Sequence, residues 1–394
     1  MKTLVINSGS SSIKFQLIEM PSETVVASGL VERIGLDVGA IVYKKGSEGI
    51  TLNIPVADHA FGLSEVAKLL MDPKKGVIAN VDEIDVVGHR IVHGGKDFSD
   101  TIEIDEKVKH KIKSLFSLAP LHNPPNYEGV LVAERIFPNA KQVAVFDTAF
   151  HQSLPQKVYK YAIENKYLDQ GIRVYGFHGI SHKFVSEEAV AFLKNPSAKI
   201  ITIHLGNGCS MTAVHEGKSL DHTLGFGPNE GLIMGTRSGA IDQTVIFYLM
   251  NKYGYSKEEM SDILSKKSGM LGLTGFSDLR EIEAEAGNGN KDCLLALEMN
   301  AYRIKKFIGA YAAAMNGLDA IVFTAGIGEN SDVLRGLVCE DMDFLGIQLN
   351  TELNAIRSKD ARDISTETSR VKVLVIPTNE ELEIAKQSYE LVTK

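Results

Sequence analysis

Cysteine is scarce in this chain. Cys209, Cys293 and Cys339 stand far apart with no CxxC pair, and an odd count suits no simple disulfide framework. A reducing compartment is the natural expectation. Long apolar runs are also missing: nothing approaches the roughly 18–20 consecutive apolar residues that cross a bilayer. Met1 to Asn7 enters a strand-like segment directly, with no apolar leader region, so no signal peptide is expected. Positive charge is in deficit, with 42 Lys+Arg against 50 Asp+Glu and a net charge of −8. No global field would draw in a phosphate backbone, although a local basic site for a small anion stays open. These shortages lead us to expect a soluble, cytoplasmic protein with no nucleic-acid and no membrane partner.

The common nucleotide signatures are absent as well. There is no GxxxxGK[ST], and no GxGxxG follows the first strand. His89-Arg90-Ile91 lacks the aspartate of a protein-kinase catalytic loop. His89 and His93 are four apart but lack the HExxH glutamate, and no His/Cys cluster has zinc spacing.

What is present is organised in pairs. With 394 residues, the chain suits two domains of ordinary size. Leu4-Val5-Ile6 is a short apolar run, Asn7 to Ser12 a polar turn, and Ile13 to Ile18 a segment of period-two alternation, which together predict a hairpin. Lys199 to Leu205, Gly206 to Ser210 and Met211 to Val214 repeat that device roughly 200 residues later, which suggests two related domains. Ile84 to His89, Val143 to Asp147, Ile321 to Thr324 and Val371 to Ile376 are apolar runs that end in polar residues, as buried strands feeding a site would. Leu295 to Gly317 reads as a long helix ending at a glycine, and the last dozen residues as helical. Turns rich in Gly, Ser and Asn are expected at 7–12, 206–210 and 325–331. Such turns let the backbone approach a ligand and present N–H groups to an anion.

Five segments, in order, carry a specific resemblance: Asn7-Ser8-Gly9-Ser10-Ser11-Ser12-Ile13-Lys14-Phe15; Gly176-Phe177-His178-Gly179-Ile180-Ser181-His182; His204-Leu205-Gly206-Asn207-Gly208; Met234-Gly235-Thr236-Arg237-Ser238-Gly239; and Thr324-Ala325-Gly326-Ile327-Gly328-Glu329-Asn330. Together they resemble the acetate kinase family, over essentially the whole chain. That family belongs to the acetate/sugar kinase, Hsp70 and actin superfamily. The resemblance therefore implies an α/β fold of two duplicated actin-like (ribonuclease H-like) domains with an interdomain nucleotide cleft. We expect residues 1–148 plus 382–394 to form the first domain and 149–381 the second. The implied reaction is acetate + ATP → acetyl phosphate + ADP by direct in-line transfer, with Mg²⁺ or Mn²⁺ and a homodimer by the same resemblance.

The resemblance also assigns roles. Arg90 and Arg237 match the cations that hold the acyl substrate and the transferring phosphoryl group, work suited to a guanidinium fork. His178 matches a histidine that contacts the phosphoryl group in the transition state. His122 and His204 match further active-site histidines. Asp147 and Glu380 resemble acidic residues near the metal, with Asn7 beside them; the alternatives are helix N-capping for Asp147 and first-turn dipole compensation for Glu380. Ser10, Ser12 and Lys14 match the other polar positions of the first turn, although Lys14 could equally be a solvated strand lysine. Leu205, Gly206, Asn207 and Gly208 would sit by the phosphates, and Gly326, Ile327, Gly328 and Asn330 by the adenosine. Asp278, Leu279 and Arg280 resemble ribose and adenine contacts. Val92, Leu121, Phe177 and Pro228 match a small apolar pocket for the acetate methyl, with core packing as the alternative.

The chain departs from the family at Ala240 and Gln243, where an acid and a proline usually follow the arginine motif. That leaves the geometry of Arg237 open. Gly227 and Asn229, flanking Pro228, also depart, which bears on acyl preference. A propionate or other short-chain acyl kinase is the nearest alternative. An actin- or Hsp70-like ATPase would not need both arginines. A sugar kinase would need an aspartate base, for which Asp147 is the candidate.

Overall fold

The computed structural model describes residues 1–394, which divide into two compact units, Met1–Phe150 with Asn379–Lys394, and His151–Thr378. Both junctions fall a few residues from the expected ones, and the shift places Glu380 and Glu381 with the first unit.

The first unit contains strands β1 (Lys2–Ser8), β2 (Ser12–Glu19), β3 (Thr24–Glu32), β4 (Ala40–Lys45), β5 (Glu48–Leu52), β6 (Val86–Ile91), β7 (Ile102–Glu103) and β8 (Lys141–Phe146). They form one sheet in the order β5-β4-β3-β2-β1-β6-β8-β7. The second contains β9 (Lys199–Leu205), β10 (Cys209–His215), β11 (Lys218–His222), β12 (Ala320–Thr324), β13 (Arg362–Asp363) and β14 (Lys372–Val375), in the order β11-β10-β9-β12-β14-β13. Within these sheets, β3-β2-β1-β6-β8 and β11-β10-β9-β12-β14 have the same order and the same sense. Each is an antiparallel three-strand meander joined through its first strand to two parallel strands. The repeated strand–turn–strand device in the sequence is thus a duplication of topology.

Local sequence explains the strands. β12 is buried at every position, as is β8 after Lys141, because parallel strands covered on both faces require unbroken apolar runs. β2 alternates, turning Ile13, Phe15 and Leu17 inward and Lys14 outward, until a bulge beside Ile18. Those three side chains pack with Leu4 and Ile6 of β1 against Leu63 and Val66 of helix His59–Leu70 and Val132 of helix Asn123–Ile136. The segment after the second unit, helix Glu380–Thr393, returns to pack on β1, β6 and β8. No helix is long and apolar enough to cross a membrane.

Two expectations shift. The long helix is Lys291–Met315, not 295–317: Asn290 starts it by accepting hydrogen bonds from the amides of Asp292 and Cys293, and Asn316 ends it in the left-handed region one residue before Gly317. The segment expected as a turn at 325–331 is instead helix Ala325–Asn330. Ala325 turns the chain with φ 64°, and the Asn330 amide and the Arg335 guanidinium satisfy the carbonyls of Gly326 and Gly328 at 2.8 Å each. Those side-chain donors let a glycine-rich stretch hold a helical turn.

Phe15 is fully buried at the centre of the first-unit core. Phe15→Ala should lower the stability of that unit by about 3–5 kcal/mol, read by urea denaturation followed through its own unfolding transition. A loss below about 1 kcal/mol would place the core elsewhere.

Candidate active site

In the first unit, β1, β6 and β8 run parallel and in register, Ile6 opposite His89 and Arg90 opposite Val145, so their carboxyl ends lie side by side. Asn7, Arg90 and Asp147 emerge there, and Glu380 begins the returning helix. Asp147 is buried and accepts from Arg90 through both oxygens, Nε to Oδ1 at 3.1 Å and Nη2 to Oδ2 at 2.5 Å. Arg90 Nη1 makes a long contact of 3.4 Å to Asn7 Oδ1, and Nε lies 3.9 Å from Glu380 Oε2. Burial opposes the Arg90 charge, but Asp147 and Glu380 more than offset it and hold the guanidinium above its ordinary value. Burial, with Asp147 and Glu381 adding to it, outweighs Arg90 and Lys14 and pushes the Glu380 carboxyl above the usual range.

Acidic charge is therefore in excess around Arg90. No group of three or more His, Cys, Asp or Glu side chains could hold a metal unaided. The donor set instead suits a hard cation that keeps most of its waters and takes one or two protein oxygens, Glu380 and Asn7 being the available ones. Lys14 is half exposed and pairs with buried Glu381 at 2.6 Å. Ser10 and Ser12 belong to the β1–β2 turn, closed by the Gly9 amide donating to Ser12 O at 2.8 Å; Ser10 is exposed. His122 occupies the position before helix Asn123–Ile136 and makes no capping bond.

In the second unit, Gly206-Asn207-Gly208 closes the β9–β10 hairpin, with the Gly206 amide donating to Gly208 O at 3.1 Å. The His178 and His204 rings stack with centroids 4.5 Å apart. His178 Nδ1 lies 2.8 Å from Ser210 Oγ, and that hydroxyl is also 2.7 Å from Nε2 of His182. Arg237 donates from Nη1 to Pro228 O at 2.9 Å; no carboxylate pairs with it, and burial holds its guanidinium below the ordinary value. A methyl group placed on Gly208 would stand 3.4 Å from the His178 ring and 3.7 Å from Arg237 Nη1, so both cover the same turn. Gly235 joins this turn to the arginine loop: its amide donates to Asn207 O at 3.1 Å, and a Cβ there would collide with Asn207 Oδ1 at 2.2 Å. Ala240 and Gln243 are exposed and Asp242 caps the helix that follows, so these departures leave the Arg237 contacts intact.

A cavity of about 660 Å³ in the same unit is lined by Gly206, Asn207, Asp278, Leu279, Arg280, Gly326, Ile327 and Asn330, all expected at the nucleotide. Ser277, Glu283, Ser331 and Arg357 also line it and were not expected. Asp278 and Arg280 grip each other, and this hydrogen bonding holds the Asp278 carboxyl down at about 2. Leu205 is a core residue whose side chain faces away from solvent, and Gly328 lies buried inside its helix. Of the four apolar candidates, Phe177 is buried, Val92 and Pro228 are half-buried and Leu121 is 67% exposed. Val92 and Leu121 belong to the first unit, Phe177 and Pro228 to the second.

Asn123 and Asn126 are absent from the expected set, yet they shape the first half-site. Asn126 accepts from the Val92 amide at 3.0 Å and donates to Ser8 O at 2.6 Å, tying the loop after Arg90 to the first turn. Asn123 accepts from the His93 amide at 3.0 Å and donates to its carbonyl at 2.9 Å. The signal available in the sequence is the polar His122-Asn123-Pro124-Pro125-Asn126 run that opens a helix.

Comparison with known proteins identifies the family. Residues 2–386 match the Acetokinase family. An acetate kinase of Flavobacterium johnsoniae is 60% identical over 393 residues, covering all of both chains. The crystal structure of Porphyromonas gingivalis acetate kinase superposes with a TM-score of 0.94 at 45% identity, covering 99% of each chain. That of a propionate kinase from Francisella tularensis superposes with a TM-score of 0.93 at 39% identity, again over 99% of each.

The raised Glu380 carboxyl has a consequence for stability. Its folded value lies above the unfolded value near 4.5, so ionised Glu380 destabilises the metal-free protein above that pH, and the penalty vanishes below it where both states are protonated. Without metal, Glu380→Gln should melt at or above the wild-type temperature at pH 7 and lose that advantage at pH 4. A lower melting point for the variant at pH 7 would mean that the Arg90 contact dominates.

Proposed function

The chain belongs to the acetokinase family and is an ATP-dependent kinase of acetate, and we propose the following division of work among its residues. Arg90 takes the substrate carboxylate, held in place by Asp147. Val92 and Leu121 of the first unit, and Phe177 and Pro228 of the second, are assigned to the methyl group. The cavity at Asp278, Leu279, Arg280, Gly326, Ile327 and Asn330 takes the nucleoside, with Gly328 supporting it from inside the helix. Lys14, His204, Leu205, Gly206, Asn207 and Gly208 serve its phosphates, and Ser10, Ser12 and His122 complete the first half-site. Arg237 and His178 stabilise the phosphoryl group in transit. Asn7 and Glu380 would hold Mg²⁺, which when bound supplies charge neutralisation on the phosphates.

Arg237 carries this reading. A largely desolvated guanidinium with no carboxylate partner, beside an imidazole on a glycine turn, is poised for a doubly charged anion. The chemistry needs no base, because acetate is ionised at neutral pH. Asp147, with both oxygens committed to Arg90, is not placed to act as one. That speaks against a hydroxyl acceptor and the sugar-kinase alternative. The obstacle is electrostatic, and arginines, a metal and in-line placement meet it.

We propose further that two copies associate. Helix Gln243–Tyr253 has no buried residue; Phe247 is 63% exposed and Tyr248 57%. Tyr302 and Leu295 are exposed on helix Lys291–Met315, which borders the same region through the Arg303 bond to Ala240 O. A two-fold pairing is the usual way to cover such a face. The three unpaired, buried cysteines suit a cytoplasmic setting.

With Mg-ATP and hydroxylamine to trap the acyl phosphate, Arg90→Ala, Arg237→Ala and His178→Ala should each lower kcat by about 100–1000-fold with melting temperatures preserved. Unchanged turnover in either arginine variant would overturn the assignment. Acetate should exceed propionate in kcat/KM by at least about tenfold; parity or reversal would favour the propionate-kinase reading. Light scattering should give twice the chain mass for wild type and the chain mass for Phe247→Asp; a wild-type monomer would refute the pairing.

A further inference from the structure

His178 sits in a backbone conformation that a side chain disfavours, with φ 57° and ψ 24° in the left-handed region. A non-glycine residue persists there only where its surroundings enforce it. Restraints act on the ring, through Ser210 and the stacked His204, and on the main chain one residue earlier. The Phe177 amide donates to Nε2 of His222 at 3.1 Å, and the Phe177 carbonyl lies 3.0 Å from Nε2 of His151.

These contacts fix where the protons are. A carbonyl can only accept, so His151 carries its proton on Nε2, and its Nδ1 accepts from the Ser219 hydroxyl at 2.9 Å. An amide N–H can only donate, so His222 is bare at Nε2 and carries its proton on Nδ1, which donates to Thr212 Oγ1 at 2.8 Å. The two rings thus hold opposite tautomers, with centroids 4.0 Å apart. Both are neutral: burial pushes His151 down to about 4, and burial aided by the neighbouring imidazoles pushes His222 well below its ordinary value. The fit extends to Gly176, whose φ is 77° and where a Cβ would stand 2.7 Å from the His151 ring. Only glycine lets that ring close on the main chain.

We propose that His151 and His222 are positioning residues for phosphoryl transfer, an imidazole pair of opposite tautomers that grips the N–H and C=O of Phe177 and thereby fixes His178 in its left-handed conformation. The proposal rests on the role given to His178 above. The His151 proton orients the peptide plane that leads into His178, and His222 fixes the plane before it. Neither ring needs to touch a substrate.

Glutamine and asparagine separate the two ends of each ring. A glutamine amide reaches the place of Nε2 and can keep the Phe177 bond; an asparagine amide reaches only the place of Nδ1 and keeps the Ser219 or Thr212 bond instead. His151→Gln and His222→Gln should keep kcat within about threefold of wild type. His151→Asn and His222→Asn should lose about 10–100-fold in kcat, the scale of a small misplacement of a catalytic group, with KM for Mg-ATP little changed. In a His178→Ala background the asparagine variants should cause no further loss. Equal activity of the Asn and Gln variants, or an undiminished loss without His178, would overturn the proposal. A fully active His178→Ala enzyme would instead remove the role of His178 itself, so the two failures are distinguishable. Should an asparagine variant not fold, nitrogen-15 NMR of the wild-type histidines decides: His151 protonated on Nε2 and His222 on Nδ1 is expected, and the reverse pattern is incompatible with the grip.

Discussion

Moving a phosphoryl group onto a carboxylate requires two anions to meet, and the placement of positive charge governs the rest of this molecule. Arg90 in the first unit and Arg237 in the second are kept in opposite conditions. Arg90 is locked by a bidentate fork to a buried aspartate, with a second carboxylate close by. Arg237 is hydrogen-bonded to a carbonyl and a thioether and has no carboxylate partner. A compensated guanidinium is rigid and well defined in direction but offers little net field; an uncompensated one offers its whole charge and is costly to desolvate. One suits the orientation of a small singly charged acid, the other the accumulation of charge on a transferring group.

The same topological frame occurs in both units. In each unit a hairpin turn sits at the carboxyl end of the first strand, beside the ends of parallel neighbours. In the first unit those ends carry Asn7, Arg90 and Asp147, and in the second His204 and the Gly206-Asn207-Gly208 turn. The scaffold is present twice, and equivalent strand ends carry charged side chains in one unit and an imidazole with a glycine turn in the other.

Much of this was legible in the residues. Apolar runs ending in polar turns marked the central strands, and the two hairpins announced the duplication, because burial on both faces leaves a compositional trace. The motif resemblance placed eight residues that line one cavity. What stayed hidden were contacts between positions far apart in the chain. Nothing in the neighbourhood of Asn126 says that its amide joins Ser8 to Val92, and nothing near His222 says that it faces Phe177. Such bonds depend on register and crossover, which local periodicity does not encode. The Ala325–Asn330 helix is hidden in the sequence for a related reason: its glycines read as a turn, while the donors that stabilise it come from Asn330 within and Arg335 beyond.

The return of the chain to the first unit has a temporal meaning. Glu380 and Glu381 reach their places beside Arg90 and Lys14 only after the entire second unit has been translated. The electrostatic surroundings of Arg90 and Lys14 are therefore completed by a segment that is synthesised after the whole of the second unit, so the first unit cannot reach its final charge arrangement from its leading 150 residues alone.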